Sequence, residues 1–386
     1  MARKMYADFS QQIIDRSSYL DRFGIKLANG LADGLICDRT IVVVSLKLCL
    51  ENTIMKLKPL FLIPLVCALF LTIGLKGCTI GGESLQSLKV GLNTWPGFDI
   101  ILYAQEKGLF KERGLDVELV RFENAQDTVR AMMRGSLDMA FVSLWEPMQA
   151  DPGNDRPTYI MVTNVSKGSD GIVSNSEIQS IADLTGKKVA AKLGTVNHLI
   201  LLEALKLKNI SPQDVTIENV SNERGIEMLK AGEVDAAVVW EPLMSETVKE
   251  INGNLVYTTA DTDSLVIDGL VTRGSFVESD LKSITQFMLA WFDLMNAVET
   301  QPQQVYAVVA EELGQTPESF ANDYAGLEKG DIALNQRMFA ADGRLQDAIA
   351  EITELLKQDD RHGRIIRKDL EIDATAVNQA IETWKP

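Results

Sequence analysis

The sequence predicts an α/β protein built from two similar units, and three observations support this prediction. From Leu88 onward, short runs rich in β-branched residues alternate with helical patterns, as is typical of α/β architecture with mainly parallel strands. The 386 residues, of which 46% are hydrophobic, are enough for two domains with substantial cores. Residues 130–148 and 226–244 echo each other, since both have a helix end, a Gly, an Asp before apolar strand residues, and then Trp-Glu-Pro.

The first unit is predicted to alternate four strands with three helices. Its strands are expected at 88–93, 116–122, 139–144 and 159–165. Its helices are expected at about 99–108, 124–134 and 146–150.

The second unit repeats this alternation, and a helical region follows it. The predicted strands are 187–192, 215–220, 236–240 and 255–259, and the predicted helices are 195–209, 222–231 and 242–250. Residues 265–276 form a further apolar segment. Beyond it the apolar spacing predicts helices over 280–299, 303–313 and 335–357, which we expect to pack on the first unit.

The charge argues against a nucleic-acid partner. The chain has 54 Asp and Glu against 38 Lys and Arg, a formal net charge of −16. The first 77 residues hold more basic than acidic side chains, so the remainder carries the whole negative excess. An acidic surface repels phosphate backbones, and the body is therefore expected to be soluble, exported and free of nucleic acid.

The cysteines and histidines restrict the chemistry of the body. All four cysteines lie at or before Cys78, and the two histidines, His198 and His362, are far apart in sequence. The body after Cys78 therefore has no thiol nucleophile or disulfide, and a metal cluster is not expected. It also has no phosphate loop, dinucleotide fingerprint, HExxH or GxSxG motif. The sequence thus predicts no cofactor, no metal and no catalytic residue.

Residues 55–78 have the pattern of an export signal. Met-Lys-Leu-Lys from Met55 is followed by the apolar run PLFLIPLVCALFLTIGL, as in a basic n-region and its h-region. Leu75-Lys76-Gly77-Cys78 then resembles the bacterial lipobox, in which the cysteine is lipidated and becomes the new N-terminus. This predicts a membrane anchor at Cys78. Lys76 departs from the pattern, so simple cleavage or an uncleaved anchor remains an alternative.

Residues 1–54 precede this signal and do not belong to a normal n-region, which is short. The simplest interpretation is a spurious or disordered extension, with translation starting at Met55. The alternative is a cytoplasmic extension in which 41–49 forms a strand or a second apolar segment.

Three tryptophans follow or end predicted strands. Trp95 comes after the first strand in Asn93-Thr94-Trp95, Trp145 follows the third, and Trp240 ends a strand of the second unit. In open α/β sheets, ligands bind beyond the carboxyl ends of strands, where large aromatic rings can enclose a small organic molecule. Packing in the core or between domains is the alternative for each.

Polar candidates accompany these tryptophans. Glu146 and Glu241 could bind an ammonium, an amidine-like nitrogen or a hydroxyl, although a helix dipole alone would also stabilise them. The loop 194–198, with Thr195, Asn197 and His198, opens an apolar helix and predicts an anion site. An ordinary N-cap by Thr195 or Asn197 is the alternative there. Asp268, before Gly269, is a further polar candidate.

Three segments of the body carry a family resemblance. They begin with LKVGLNTWPGF, GTVNHLILLEAL and GEVDAAVVWEP, and the first continues into the turn GLFKERGLDV. With the export signal, they resemble the nitrate/sulfonate/taurine-type substrate-binding proteins of bacterial ABC importers, a group that also includes thiamine-pyrimidine binders. The likeness covers about 88–300.

The resemblance implies a two-lobed, periplasmic-binding-protein-like (type II) fold with a ligand cleft between the lobes. It places 88–171 and 267–386 in lobe 1 and 172–266 in lobe 2, with chain crossings near 166–175 and 262–269. By the same resemblance, ligand positions match the predicted site residues, which are Asn93, Thr94, Trp95, Thr195, Asn197, His198, Trp240 and Glu241.

The function that follows is solute capture for import. A periplasmic or surface-anchored monomer would bind an alkanesulfonate, a taurine-like zwitterion, nitrate or a nitrogenous heterocycle and deliver it to a permease that an ATPase drives. Two other classes stay open. An enzyme on the same fold, acting on a pyrimidine precursor, would show turnover, and a sensory input module would need a signalling domain.

Overall fold

The computed structural model describes residues 84–386 except 152, 154 and 264. The predicted extension 1–54, the signal peptide 55–78 and the lipidation site Cys78 lie outside the described residues. Among the helices that are described, none has both the length and the apolar character needed to cross a bilayer.

The described residues form twelve strands in two sheets. In chain order they are β1 (Gln86–Asn93), β2 (Leu115–Phe122), β3 (Met139–Ser143), β4 (Pro157–Ser166), β5 (Asp170–Ser174), β6 (Lys188–Ala190), β7 (Thr216–Glu218), β8 (Ala236–Trp240), β9 (Asn254–Thr258), β10 (Ile267–Arg273), β11 (Leu327–Lys329) and β12 (Glu371–Ile372). The first sheet has the order β11-β4-β10-β3-β1-β2, with β12 beside β4. The second has the order β7-β6-β8-β5-β9.

The prediction of mainly parallel strands is correct for part of each sheet only. β1 is parallel to β2 and β3, and β6 is parallel to β7 and β8. By contrast, β10 is antiparallel to β3 and β4, and β5 is antiparallel to β8 and β9. β10 and β5 are entered directly from the other sheet, so no crossover helix forces them to be parallel to their neighbours. The sequence also missed β5, β11 and β12 as strands.

The described helices cover both units and the C-terminal region. They are Pro96–Asp99, Ile101–Glu106, Leu109–Glu112, Ala125–Met133, Val196–Leu207, Asn222–Lys230, Leu243–Ile251, Gly274–Thr300, Pro302–Leu313, Pro317–Ala325, Ile332–Met338, Arg344–Gln358 and Thr375–Thr383. The helix predicted over 146–150 is only a 3-10 turn at Pro147–Gln149. The helix predicted over 335–357 is interrupted before Gly343, where a Cβ would clash with the Met338 carbonyl.

The long helix Gly274–Thr300 packs on the first sheet, as expected. Its Trp291 is fully buried, contacts Phe141 of β3 at 5.8 Å between ring centroids, and donates a 2.8 Å hydrogen bond to the Gly330 carbonyl. Asp293 on the same helix accepts two hydrogen bonds from Arg113 at 2.8 Å. These contacts hold the helix against the sheet that positions one side of the cleft.

The helix Arg344–Gln358 differs from the expectation that the C-terminal helices pack on the first unit. It packs on Val196–Leu207, the helix that follows β6 of the second sheet. Its Leu345, Ile352 and Leu355 are buried in the same cluster as Leu199 and Leu202. An amphipathic helix buries its apolar face against any complementary surface that is available. The spacing of its apolar residues does not show which surface that is.

Three connections join the two sheets. The chain leaves the first sheet between Ser166 and Asp170 and returns between Thr258 and Ile267. The third connection is the segment 359–372, called the C-terminal strap. In it, Arg361 donates to the carbonyls of Pro212 and Val215, and Arg367 donates to those of Asp151 and Asp155.

Candidate functional site

A cleft of about 580 Å³ lies between the two sheets. One wall comes from the ends of β1, β3 and β10, and the opposite wall comes from the ends of β6 and β8 and from the start of two helices. This is the location expected for ligands in α/β folds, beyond the strand ends where loops and helix starts converge. Seven of the residues predicted from the sequence line it: Asn93, Trp95, Glu146, Thr195, Asn197, Trp240 and Asp268.

Four predicted residues do not line this cleft. Thr94 is exposed, because the chain turns between β1 and Pro96–Asp99 and points alternate residues in opposite directions. Glu241 accepts hydrogen bonds from the backbone N–H of Ser245 at 3.0 Å and from its hydroxyl at 2.5 Å. It therefore stabilises the start of Leu243–Ile251, which was the alternative interpretation of this acid.

Trp145 and His198 are the other two predicted residues that do not line the cleft, and both are fully buried. Their rings meet edge to face at 5.8 Å between centroids. The His198 Nε2 atom lies 3.0 Å from Asp359 Oδ2 at the start of the C-terminal strap. Trp145 thus follows the alternative of core packing, and His198 points away from the cleft toward the strap.

Trp95 and Trp240 bring the two walls of the cleft into contact. Their rings are 6.3 Å apart between centroids and nearly perpendicular, at 85°. The Trp95 ring N–H donates to Asn164 Oδ1 at 3.4 Å, and Trp95 is 5% exposed, whereas Trp240 is half-buried. The pair leaves an aromatic surface facing the cleft.

Glu146 occupies the helix start that the sequence predicts as an anion site. Its Oε1 accepts from the Val196 backbone N–H at 3.0 Å, and its Oε2 accepts from the Ser143 hydroxyl at 2.6 Å. Burial raises the pKa of Glu146 to about 7, against the lowering effect of these hydrogen bonds. The helix Val196–Leu207 is therefore capped by a carboxylate from the opposite wall.

The polar side chains of the loop 194–198 make hydrogen bonds to other groups of the protein. The Thr195 hydroxyl donates to the Lys192 carbonyl at 2.8 Å and lies 3.1 Å from Asn197 Oδ1, and no side chain of the loop caps the helix. Asn197 donates to Val238 O at 2.7 Å and to Asn222 Oδ1 at 2.9 Å. In the alternative interpretation the side chain of Thr195 or Asn197 would cap the helix, but Glu146 accepts the hydrogen bond at this position instead.

Asp170 and Asp268 are two buried acids at the floor of the cleft. Asp268 is 4% exposed and lies opposite Ser143 of β3, and Asp170 is 1% exposed and lies opposite Trp240 of β8. Burial raises the pKa of Asp170 to about 7 and that of Asp268 well above its usual range, and Asp170 and Glu146 add to the effect at Asp268.

Sequence reasoning missed Asp170, although a signal was present. Asp170-Gly171 and Asp268-Gly269 are the same dipeptide, and each stands at the start of a strand that follows a connection between the sheets. The glycines are required because a Cβ at Gly171 would clash with the Tyr257 carbonyl, and one at Gly269 with the Tyr159 hydroxyl. The prediction from sequence also lacked other residues of the lining, among them Glu123, Asn124, Ser143, Lys192, Asn222 and Glu223.

Comparison with known proteins places this architecture in a family. The model of the NMT1-like family matches residues 81–313, more than half of the chain. The chain belongs to the NMT1-like family. A putative binding protein of Brucella abortus strain 2308 is 30% identical over 170 residues, which are 43% of this chain and 51% of that protein. The chain thus spans about half the length of the first curated relatives that it matches.

Other relatives and structural neighbours of this NMT1-like chain have more specific names. The taurine-binding periplasmic protein of Escherichia coli strain K12 is 24% identical over 64% of this chain and 79% of that protein. The alkanesulfonate-binding protein SsuA of Xanthomonas axonopodis pv. citri, in a structure with MOPS, matches with a TM-score of 0.60 and 17% identity, over 74% of this chain and 98% of that chain. The desulfurization enzyme DSZB matches with a TM-score of 0.52 and 17% identity, over 76% of this chain and 99% of that chain. These likenesses show that the fold is that of periplasmic binding proteins.

Proposed function

We propose that the chain is the extracytoplasmic solute-binding subunit of an ABC importer, which captures a small ligand between two lobes and delivers it to the permease. The observation that carries the proposal is the cleft of about 580 Å³ with walls from both sheets. This volume lies within the usual range for small-molecule sites. The names of the relatives support the same role, and they cover alkanesulfonates and taurine-like ligands as well as nitrate.

The proposed mechanism is closure of two lobes on the ligand. As the sequence bounds them, lobe 1 comprises 88–171 and 267–386 and lobe 2 comprises 172–266. Asp170 and Gly171 belong instead to β5 of the second sheet, and the helix Arg344–Gln358 packs on the second unit, so we assign both to lobe 2. The Trp95–Trp240 contact and the hydrogen bond from Val196 to Glu146 join the walls in the closed arrangement. A ligand that contacts both walls stabilises this arrangement over an open one, and the permease distinguishes the two.

The proposed location is the periplasm or cell surface, with an anchor through a lipid on Cys78. The partners would be the permease and its ATPase, and the binding subunit would act as a monomer. ATP hydrolysis belongs to those partners, so the chain itself is proposed to bind and not to catalyse. The alternative of an enzyme acting on a pyrimidine precursor on this fold predicts turnover of an aminopyrimidine.

Thermal unfolding of the purified chain tests the proposed function. A ligand that binds only the folded state, at 100 times its dissociation constant, adds about 2.7 kcal/mol of stability and raises the midpoint. The panel contains alkanesulfonates, taurine, nitrate, aminopyrimidines and small organic cations. We expect a shift with one class, which Trp95→Ala and Trp240→Ala abolish.

Trp384→Ala is the matched control, because Trp384 lies outside the cleft and donates to Asp293 at 2.9 Å. It should keep the ligand-induced shift. A panel without any shift, or conversion of a member of the panel to product, would contradict solute binding as the function.

A further inference from the structure

Most of the titratable side chains that line the cleft are acidic. Within the described residues, its lining contains five carboxylate side chains and a single cationic one, Lys192. The carboxylates are Glu123, Glu146, Asp170, Glu223 and Asp268. A cleft lined mainly by one sign of charge concentrates ions of the opposite sign and repels those of the same sign. A cationic solute would therefore favour the ionised form of these carboxyl groups, whereas an anionic solute would oppose it.

Three of the lining side chains present hydrogen-bond acceptors without partners. Asp268 Oδ2, Asp170 Oδ2 and Asn93 Oδ1 are buried and accept no hydrogen bond from any described residue. Their residues are 4%, 1% and 7% exposed. Buried polar atoms are nearly always paired in native proteins, so a donor from a ligand or from water would complete the bonding of these three atoms. A bound group with several N–H donors supplies them, whereas a sulfonate or nitrate offers acceptors only and would suit the one unpaired donor among the described lining residues, Asn222 Nδ2.

The place where an anion would bind is already filled. The Val196 N–H at the start of Val196–Leu207 donates to Glu146 at 3.0 Å. Glu146 is 3% exposed and is held on its other oxygen by Ser143. A sulfonate at this helix start would have to displace a buried carboxyl group that already has two donors.

The aromatic wall adds an independent preference. The rings of Trp95 and Trp240 line the cleft beside Asp170 and Asp268, and Trp240 pairs directly with Asp170 across β8 and β5. The faces of indole rings attract cations, most strongly in sites shielded from water. Acidic floor and aromatic wall thus favour the same kind of ligand.

We infer that the solute of this cleft is a small organic cation with several N–H donors, such as an amidinium, a guanidinium or a primary ammonium, and not a sulfonate or nitrate. This inference rests on the proposed function, because it names the class of solute that the cleft captures. Asp268 and Asp170 accept from the cationic group, and Trp95 and Trp240 enclose the part of the ligand that carries it.

A matched series on one ring tests the charge preference directly. Benzamidinium, benzamide and benzenesulfonate have similar size and differ chiefly in charge, and agmatine, putrescine, taurine and nitrate extend the cationic and anionic classes. Isothermal titration of the purified chain at pH 7.5 is expected to show binding by at least one cation and at least tenfold weaker binding by the anions.

The outcomes separate the inference from the proposed function. Binding by benzenesulfonate, taurine or nitrate but by none of the cations overturns the inference and leaves solute capture standing. Preferred binding of benzamide over benzamidinium also overturns it. Absence of binding by every compound overturns the inference and counts against the proposed function as well.

Asp268→Asn localises the effect, because it keeps the shape of the side chain and removes its ability to ionise. For the tightest cation of the panel we expect affinity to fall about 10- to 100-fold, the range for a hydrogen bond to a charged group. Affinity for benzamide should change less than threefold. Asp116→Asn, on an exposed part of β2, is the matched control and should leave cation affinity unchanged. Equal loss in both variants, or unchanged binding in Asp268→Asn, contradicts the assignment.

Discussion

At the scale of single residues, Glu146 has the most unusual environment in the cleft. It lies at the end of one sheet, caps a helix of the other unit, and has almost no exposure to water. Burial raises its pKa to about 7, although Ser143 and Val196 donate to its oxygens. The carboxyl group therefore changes charge near neutral pH while it bridges the two walls.

The raised pKa of Glu146 makes the stability of the protein depend on pH. A carboxyl whose pKa is higher in the folded than in the unfolded protein stabilises the fold fully below its unfolded pKa. That contribution to stability is lost as the pH rises from the ordinary pKa of 4.5 through the pKa of about 7 in the folded protein. Without ligand, the unmodified chain should have a lower free energy of unfolding at pH 8 than at pH 5. We expect this decrease to be smaller in Glu146→Gln, by up to about 3 kcal/mol.

Urea unfolding at both pH values measures this difference. Asp116→Asn is again the control and should retain the pH dependence of the unmodified chain. The pKa of Asp170 is also raised to about 7 and acts in the same direction. Glu146→Gln should therefore keep part of the pH dependence of the unfolding free energy. An unchanged slope in Glu146→Gln would show that this carboxyl does not titrate in the range.

At the scale of elements, the C-terminal strap holds the helix of the second unit that forms part of the cleft. Asp359 is fully buried and accepts from Arg361 at 2.7 Å, and His198 on Val196–Leu207 lies 3.0 Å away. The bonds to His198 and Arg361 outweigh burial and lower the pKa of Asp359. The strap thus attaches to a helix whose N-terminus faces the site.

Removing this attachment should be strongly destabilising. Asp359→Ala leaves the buried His198 and the Arg361 guanidinium without their common partner, and breaking such a buried pair costs about 3–5 kcal/mol. Denaturant unfolding of the variant measures the loss. Asp360→Ala, at an exposed neighbouring position, should change stability by less than about 1 kcal/mol. Similar values for the two variants would mean that the strap does not stabilise the helix.

At the scale of the whole molecule, Gln126 connects three parts of the chain. From the helix Ala125–Met133, its Nε2 donates to the Leu193 carbonyl at 3.1 Å, and its Oε1 accepts from Arg364 at 3.0 Å. Leu193 belongs to the loop before Val196–Leu207, and Arg364 belongs to the C-terminal strap. Opening of the cleft would separate these groups.

Gln126→Ala should therefore favour the open arrangement. The loss of one or two hydrogen bonds lowers the fraction of molecules in the closed arrangement. Apparent ligand affinity falls in proportion to that fraction, about 2- to 10-fold. Small-angle scattering of the ligand-free variant is expected to give a larger radius of gyration than that of the unmodified chain. A saturating ligand should restore the same radius in both. Gln179→Ala, at an exposed site outside the cleft, is the control, and a radius equal to the unmodified one in Gln126→Ala would contradict this role.

Part of the site could be predicted because strand ends are visible in the sequence. Asn93, Trp95 and Trp240 follow or end apolar β-branched runs, and all three line the cleft. Asp268, predicted from the return crossing between the units, also lines it. Neighbours at similar positions do not, as exposed Thr94 and Glu241 show. Local spacing identifies the end of a strand, whereas the direction of each side chain there depends on the turn that follows.

The sequence alone determined the alternation of strands and helices, the acidic character of the body and the family. These properties depend on local periodicity and composition, which the chain carries regardless of its partners. The tertiary structure decided the packing of Arg344–Gln358, the strap and the contact between Glu146 and Val196. Glu146 and Val196 are 50 positions apart, and no local pattern encodes their hydrogen bond. Only the meeting of two sheets brings a carboxylate to a helix start that the sequence assigns to an anion from solution.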